Sequence, residues 1–326
     1  MTYIEQTRYD RQVAQWLIFC AVVIFAMILL GGVTRLTNSG LSIVEWKPLV
    51  GAIPPLSEQD WQETFAKYQQ YPEYQKINHG MSLHEFKMIF MIYFAVRGRL
   101  RPGLAPGLVA LFFMGGLQGL LGWYMVKSGL VDDPRVSQYR LTAHLGVAVA
   151  IYAYMLWLAF DLLFARDTGS SGQKKPYARW MLVLVALVYL MILSGGLVAG
   201  TDAGFAYSTW PLMGDSFIPR GLYATTPAWL AAFEDITTIQ FNHRMFAYFL
   251  FVVLIVSMFQ VYRNSTRRRA KLASILVVVA LCIQVMLGIS TLLLHVPVAL
   301  GAAHQGGAVL LLTAILFLGH VQLRQS

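Results

Sequence analysis

The sequence predicts an all-α integral membrane protein built as two parallel-related four-helix bundles, with eight spans of which the second is abnormally short. Three observations carry that prediction. Of 326 residues, 57% are hydrophobic and only 13% charged, about half the charged share of an ordinary soluble chain. Seven apolar runs of roughly 20 residues recur along the chain, the length needed to cross a bilayer core. The two halves also repeat one another station by station. A soluble globule is excluded, because 19 Phe, 16 Tyr and 8 Trp with so few charges cannot clothe a water-facing surface.

The full-length runs are 13–33, 104–126, 142–164, 180–200, 243–262, 272–294 and 302–322. The first is too long for a signal-peptide core and no small-residue cleavage site follows it, so it is expected to stay as an anchor. The eighth run, 88–96, has only nine residues between Lys87 and Arg97. At 1.5 Å per residue it covers about 14 Å of a core about 30 Å thick. Ser82 and Glu85 form a capping box ahead of it, which lengthens the helix but not its apolar part. Between the first two runs, Trp61, Phe65 and Tyr68 at spacings of four and three suggest a helix lying at the interface.

Charge fixes the orientation. Arg8 and Arg11, Arg97 to Arg101, Arg166 to Arg179, Arg263 to Lys271, and Arg324 put 15 of the 25 Lys and Arg on one side, against four acids. The other side carries 10 basic and 12 acidic residues. By the positive-inside rule the first side is cytoplasmic, with both termini. The net charge of +9 and pI near 9.6 are therefore an orientation signal and not a nucleic-acid footprint. On this topology the short run must cross.

The repeat divides the chain into 1–165, a linker 166–179, and 180–326. Met27-Ile28-Leu29-Leu30-Gly31-Gly32 matches Met191-Ile192-Leu193-Ser194-Gly195-Gly196, with Gly40 and Trp46 matching Gly204 and Trp210. Gln118 to Gly122 matches Gln284 to Gly288, and Ala143-His144-Leu145-Gly146 matches Ala303-His304-Gln305-Gly306. Four spans per repeat is an even number, so the repeats are parallel. The paired glycines suit close helix contact, and Gln118 and Gln284 suit hydrogen bonds between helices.

Four histidines, His84, His144, His243 and His304, each open a span running inward, so all share one depth. His79, His295 and His320 fall in loops or near the last helix end. His243 and His304 lie on two inward-running spans of one half, the arrangement of a bis-imidazole clamp for haem iron. Zinc would ask for further Cys, Asp or Glu ligands; Cys20 and Cys282, the two cysteines, are in apolar runs away from that depth. Arg244, Arg135 and Arg140 stand where haem propionates need cations.

These residues resemble a known family. Gly31-Gly32-Val33-Thr34-Arg35-Leu36-Thr37-Asn38-Ser39-Gly40, Asn78-His79-Gly80-Met81-Ser82, Gly122-Trp123, Lys127-Ser128-Gly129, Tyr139-Arg140, Phe241-Asn242-His243-Arg244 and Ala303-His304-Gln305 are similar to the haem A synthases of proteobacteria and mitochondria over nearly the whole chain. The resemblance implies a duplicated eight-helix protein of the bacterial inner membrane. Its activity would be oxidation of the C8 methyl of haem O to the formyl of haem A, for cytochrome oxidase. It implies haem b as resident cofactor on His243 and His304, beside Arg244. The substrate haem O would lie in the first half, its iron on His144, with Arg140 and Arg135 nearby. A haem O synthase and cytochrome oxidase assembly factors are the implied partners; nucleic acid is not one, and self-association is left open.

The sequence departs from the family at the short run. There the family's second span opens with a glutamate followed three residues later by a His-Arg pair. Here Glu85-Phe86-Lys87-Met88 passes almost directly to Arg97-Gly98-Arg99, so about one helix of sequence is missing. His84 has the right depth to stand in as ligand, and Glu85 beside it is the one candidate catalytic acid. The alternative function is a non-catalytic bis-histidine cytochrome that carries electrons or binds haem.

Overall fold

The structure, a computed structural model, describes residues 3–37, Gln62, 103–129, 136–164 and 178–324. Seven long helices are present among them: α1 (Tyr3–Leu36), α2 (Ala105–Gly129), α3 (Gln138–Leu163), α4 (Ala178–Gly200), α5 (Ile236–Asn264), α6 (Arg268–Leu293) and α7 (Val298–Arg324). All seven are long and apolar enough to cross a membrane. Their outward faces carry Phe19, Phe113, Phe259 and Met286, each more than half exposed, the inverse of a soluble surface and the pattern lipid demands. Between its first and last turns a helix pairs every backbone group within itself, which is why apolar runs of this length fold as helices in hydrocarbon. The protein is an all-α integral membrane protein. The run 88–96, the expected helix around Trp61, Phe65 and Tyr68, His79, and the candidates His84, Glu85 and Arg135 lie outside the described residues.

Two helices run centrally. α7 buries Val309, Leu312, Ile315 and Leu318 completely, and α3 buries Val149 and Ala159. These two pack on each other; α1 and α4 each pack on both of them. In the second half α4, α5, α6 and α7 close a ring in which each helix touches the next. In the first half α1 and α2 both pack on α3.

The contacts between halves are reciprocal. A Cβ on Gly146 of α3 would stand 2.9 Å from Leu193 Cδ2 of α4, and one on Gly306 of α7 2.7 Å from Leu29 Cδ2 of α1. Those are the two pairs matched in the sequence repeat. Farther along, Trp157 meets the His320 ring edge-on at 5.4 Å and 76°, and Phe160 meets Phe317 at 5.6 Å and 74°. The offset that carries His144 to His304 carries Trp157 to Phe317 and Phe160 to His320. Polar pins cross the same seam: Arg35 Nη2 to Asp202 Oδ1 at 3.0 Å, Gln305 Nε2 donating to the Ile28 carbonyl at 2.8 Å, and His320 Nε2 to Asp161 Oδ1 at 3.0 Å.

The start of α5 sets the depth of His243. Asp235 caps the helix, its side chain accepting from the Thr238 amide at 2.7 Å, which satisfies one of the helix's orphan N–H groups. Replacing the cap with alanine is expected to destabilise the protein by about 1 kcal/mol, read as a lower thermal midpoint of Asp235→Ala in detergent.

Candidate functional site

The second-half ring has a clear division of labour. His243 and His304 come from α5 and α7, which face each other across the ring, while the packed contacts run between neighbouring helices. The other diagonal, α4 and α6, supplies the groups that hold the imidazoles. Ser194 Oγ lies 2.7 Å from His243 Nδ1, and Gln284 Nε2 lies 3.1 Å from His304 Nδ1. The same Gln284 nitrogen donates to the His304 carbonyl at 2.9 Å, which fixes the amide against α7.

Glycines make room beside each ring. On α4, a Cβ at Gly195 would sit 3.5 Å from His243 Cε1; on α6, a Cβ at Gly288 would sit 2.8 Å from His304 Cε1. Gly307 gives way to the Gln284 amide in the same manner. Ser194 Oγ donates to the Met191 carbonyl at 2.9 Å, so toward His243 it is an acceptor for Nδ1–H and Nε2 is the nitrogen left for a metal. At His304 the Gln284 amide N–H meets Nδ1, so metal binding through Nε2 requires the ring proton to move to Nδ1 and that amide to turn away. Among the described residues no group of three or more His, Cys, Asp and Glu could hold a metal ion together. Two imidazoles on opposed helices, flanked by glycines, are a donor set that would suit a haem iron.

Arg244 does something the sequence did not foretell. Its Nη1 donates to the carbonyls of Thr209 and Leu212 at 2.9 and 3.2 Å, and its Nη2 to that of Tyr207 at 2.9 Å. Gln240, one helical turn earlier, donates to the carbonyls of Tyr207 and Gly204 at 3.1 and 3.4 Å. Together they tie the segment 204–212 to the end of the ring beside His243. Tyr223 adds a bond from its hydroxyl to Asn242 Oδ1 at 2.8 Å.

In the first half, His144 projects from the second turn of α3 toward α2, where Gln118 Nε2 lies 3.2 Å from its Nε2. The pairing of glutamine with histidine thus recurs in both halves, across α2 and α3 and across α6 and α7. Its atoms differ: Gln118 engages Nε2 of His144, and the Nδ1 of His144 is buried without a hydrogen-bond partner. Arg140, one turn before His144, lies over the Tyr124 ring with Cζ 4.8 Å from its centroid.

Ser194 is the site residue that sequence reading missed. The signal was a departure from the repeat, since the matched residue in the first half is Leu30. The glutamines were expected to bond between helices; that their partners are the histidines adds chemistry to that expectation.

Comparison with known proteins gives one consistent result. A family model described as a cytochrome oxidase assembly protein, COX15-CtaA, matches residues 14–94 and 88–316. The Heme A synthase of Nitrosospira multiformis is 47% identical over 337 aligned positions, covering 97% of this chain and 95% of the relative. That of Nitrosomonas eutropha is 46% identical over 338, covering 96% and 94%, and that of Paramagnetospirillum magneticum 45% identical over 334, covering 95% and 93%. These alignments are longer than the 326-residue chain, so the relatives carry residues with no counterpart here. The two stretches of the family match overlap at 88–94, within the nine-residue apolar run 88–96.

Proposed function

Because the chain belongs to the COX15-CtaA family of cytochrome oxidase assembly proteins, we propose that it oxidises the C8 methyl of haem O to the formyl of haem A, using a resident haem b. Its role as a membrane oxidoreductase of haem A synthesis rests on relatives 45–47% identical over nearly their full length. The finer assignment rests on one observation: two imidazoles on opposed helices, each held by Nδ1, with glycines beside both rings. Haem b belongs to the half 180–326, with His243 and His304 as axial ligands, and supplies electron transfer when bound. Ser194 and Gln284 orient those ligands. Arg244 and Gln240 hold the segment 204–212 against the site and so limit water there.

The half 1–165 takes the substrate haem O, with His144 as iron ligand and Arg140, together with Arg135, near the propionates. The reciprocal packing of α1 on α7 and α4 on α3 supports reading the halves as two copies of one bundle. The distribution of Lys and Arg supports an inner-membrane location with both termini cytoplasmic. A haem O synthase is the supplier the substrate requires.

The test is to express the full chain in membranes with a haem O synthase, extract the haems and identify them by mass spectrometry. Haem A is the expected product. Haem b bound with no haem A formed would overturn the enzyme reading in favour of the bis-histidine cytochrome. Loss of the bound-haem absorbance in His243→Ala and in His304→Ala supports the ligand assignment, and a retained spectrum in either overturns it.

A further inference from the structure

We propose that Ser194 sets the reduction potential of the resident haem through His243, a positioning residue that makes this imidazole more basic and so favours ferric iron. The inference rests on the assignment of His243 as an axial ligand through Nε2. Its own basis is the direction of one hydrogen bond. Ser194 Oγ lies 2.7 Å from His243 Nδ1 and 2.9 Å from the Met191 carbonyl. A hydroxyl has one hydrogen and a carbonyl can only accept. Both contacts are therefore bonds only when the serine donates to Met191 and the imidazole Nδ1–H donates to the serine. The reverse direction would leave two oxygens 2.9 Å apart with no hydrogen between them. Met191 Sδ, 3.8 Å from the same hydroxyl, is the weaker acceptor of its hydrogen. A proton on Nδ1 leaves the lone pair on Nε2, the nitrogen an iron would take.

The serine is fixed for this task. Met191 lies three residues earlier on α4, so the hydroxyl is anchored to its own helix and turns a lone pair to the ring. An oxygen that donates one hydrogen bond accepts another more strongly. Drawing on Nδ1–H raises the basicity of the ligating nitrogen, as hydrogen-bond partners of ligated histidines do. A more basic ligand stabilises ferric over ferrous iron and lowers the potential. Helix packing does not by itself ask for a serine here. In the first half the matched position holds Leu30, between the same leucine and glycine pair, and its side chain can neither donate nor accept. The half assigned to the resident haem thus carries a hydrogen-bonding group where its copy carries hydrocarbon. The proposal concerns His243 alone and adds no step to the reaction; it sets how readily the resident haem holds or gives up one electron.

The experiment is a redox titration of the haem absorbance of the full-length protein in detergent. Ser194→Ala is expected to shift the ferric-to-ferrous ratio at a fixed applied potential about fivefold toward ferrous, the worth of one net neutral hydrogen bond. That raises the midpoint by about 40 mV, at 59 mV per tenfold. Ser194→Thr, which keeps the hydroxyl, is expected to stay at the original midpoint, and Ser194→Val, of the same shape without it, to rise with the alanine variant. Ser274→Ala removes a buried serine that donates to the Lys271 carbonyl at 2.8 Å, about 15 Å along α6 from Gln284, and should leave the midpoint unchanged. The low-spin spectrum is expected in all four. An unmoved or lowered midpoint in Ser194→Ala, or loss of the haem from it, overturns the proposal; where that variant does not accumulate, equal midpoints in the threonine and valine variants do so. Either result, with the absorbance lost in His243→Ala, leaves the ligand assignment standing. Absorbance retained in His243→Ala removes the assignment itself, and the proposal with it.

Discussion

Gly288→Ala is expected to weaken retention of the resident haem by about tenfold or more while the protein still inserts and folds. The added Cβ would lie 2.8 Å from His304 Cε1, with Nδ1 and Nε2 of the same ring at 3.3 and 3.5 Å. No carbon pair packs at that separation, so the ring must turn or α6 and α7 must part. Turning the ring gives up the bond from Gln284 to Nδ1 and misdirects Nε2. Overpacking of this kind costs about 1–3 kcal/mol, and 1.4 kcal/mol is a tenfold change in affinity. Gly195→Ala is the matched control: its Cβ would lie 3.5 Å from His243 Cε1, an ordinary van der Waals distance, and haem retention should hardly change. Haem per chain and the low-spin absorbance spectrum check both. Equal retention in the two variants would mean that Gly288 does not shape the His304 position.

Gly200→Ala is expected to give the larger loss of stability. A Cβ there would meet the Cα of Gln138 at 2.6 Å and its Cβ at 2.7 Å, and Gln138 opens α3 while Gly200 closes α4. The obstacle is backbone and not the free end of a side chain, so no rotamer change relieves it. Parting α3 from α4 at this point also strains the Tyr139 to Glu234 bond of 2.5 Å and the Gln138 bond to the Phe233 carbonyl at 3.2 Å. The expected cost is about 3 kcal/mol, the upper end for overpacking, seen as poor recovery from membranes and a lower thermal midpoint. Gly204→Ala, whose Cβ would find its nearest neighbour at 3.4 Å, should be far milder.

Much of this fold could be read from hydropathy, and the parts that could not have identifiable causes. The run 272–294 and helix α6 (Arg268–Leu293) nearly coincide, because apolar content and helix end together there. The run 243–262 begins well inside α5, which starts at Ile236. The intervening Thr237, Thr238, Gln240 and Asn242 are polar yet helical, in a turn fixed by the Asp235 cap and by bonds to the segment 204–223. The site histidines were legible from their shared depth and their repetition. Ser194 was hidden because one serine in a small-residue helix motif reads as packing. Arg244 reads in the sequence as a cation for propionates, because a guanidinium suits an anion; its bonds to the segment beside it are a second role. Its partners are the carbonyls of Tyr207, Thr209 and Leu212, and a carbonyl belongs to every residue type, so no sequence pattern marks it. The glutamines were visible as a matched pair, but which ring nitrogen each touches is set by side-chain rotation, on which the repeat is silent.

The seam between the halves has a further meaning. Leu29 seats at Gly306 and Leu193 seats at Gly146, so each half offers one projection and one recess, and each receives what it gives. That is the self-complementary geometry of an isologous interface, in which residue i meets j and j meets i, here contained in one covalent chain. Within one chain the two surfaces are free to drift apart. The aromatic contacts mark how far they have done so, with Phe160 on one side answered by His320 on the other, and Asp161, which bonds to that histidine, answered by Val321. The half-chains have kept a common fit and taken different chemistry.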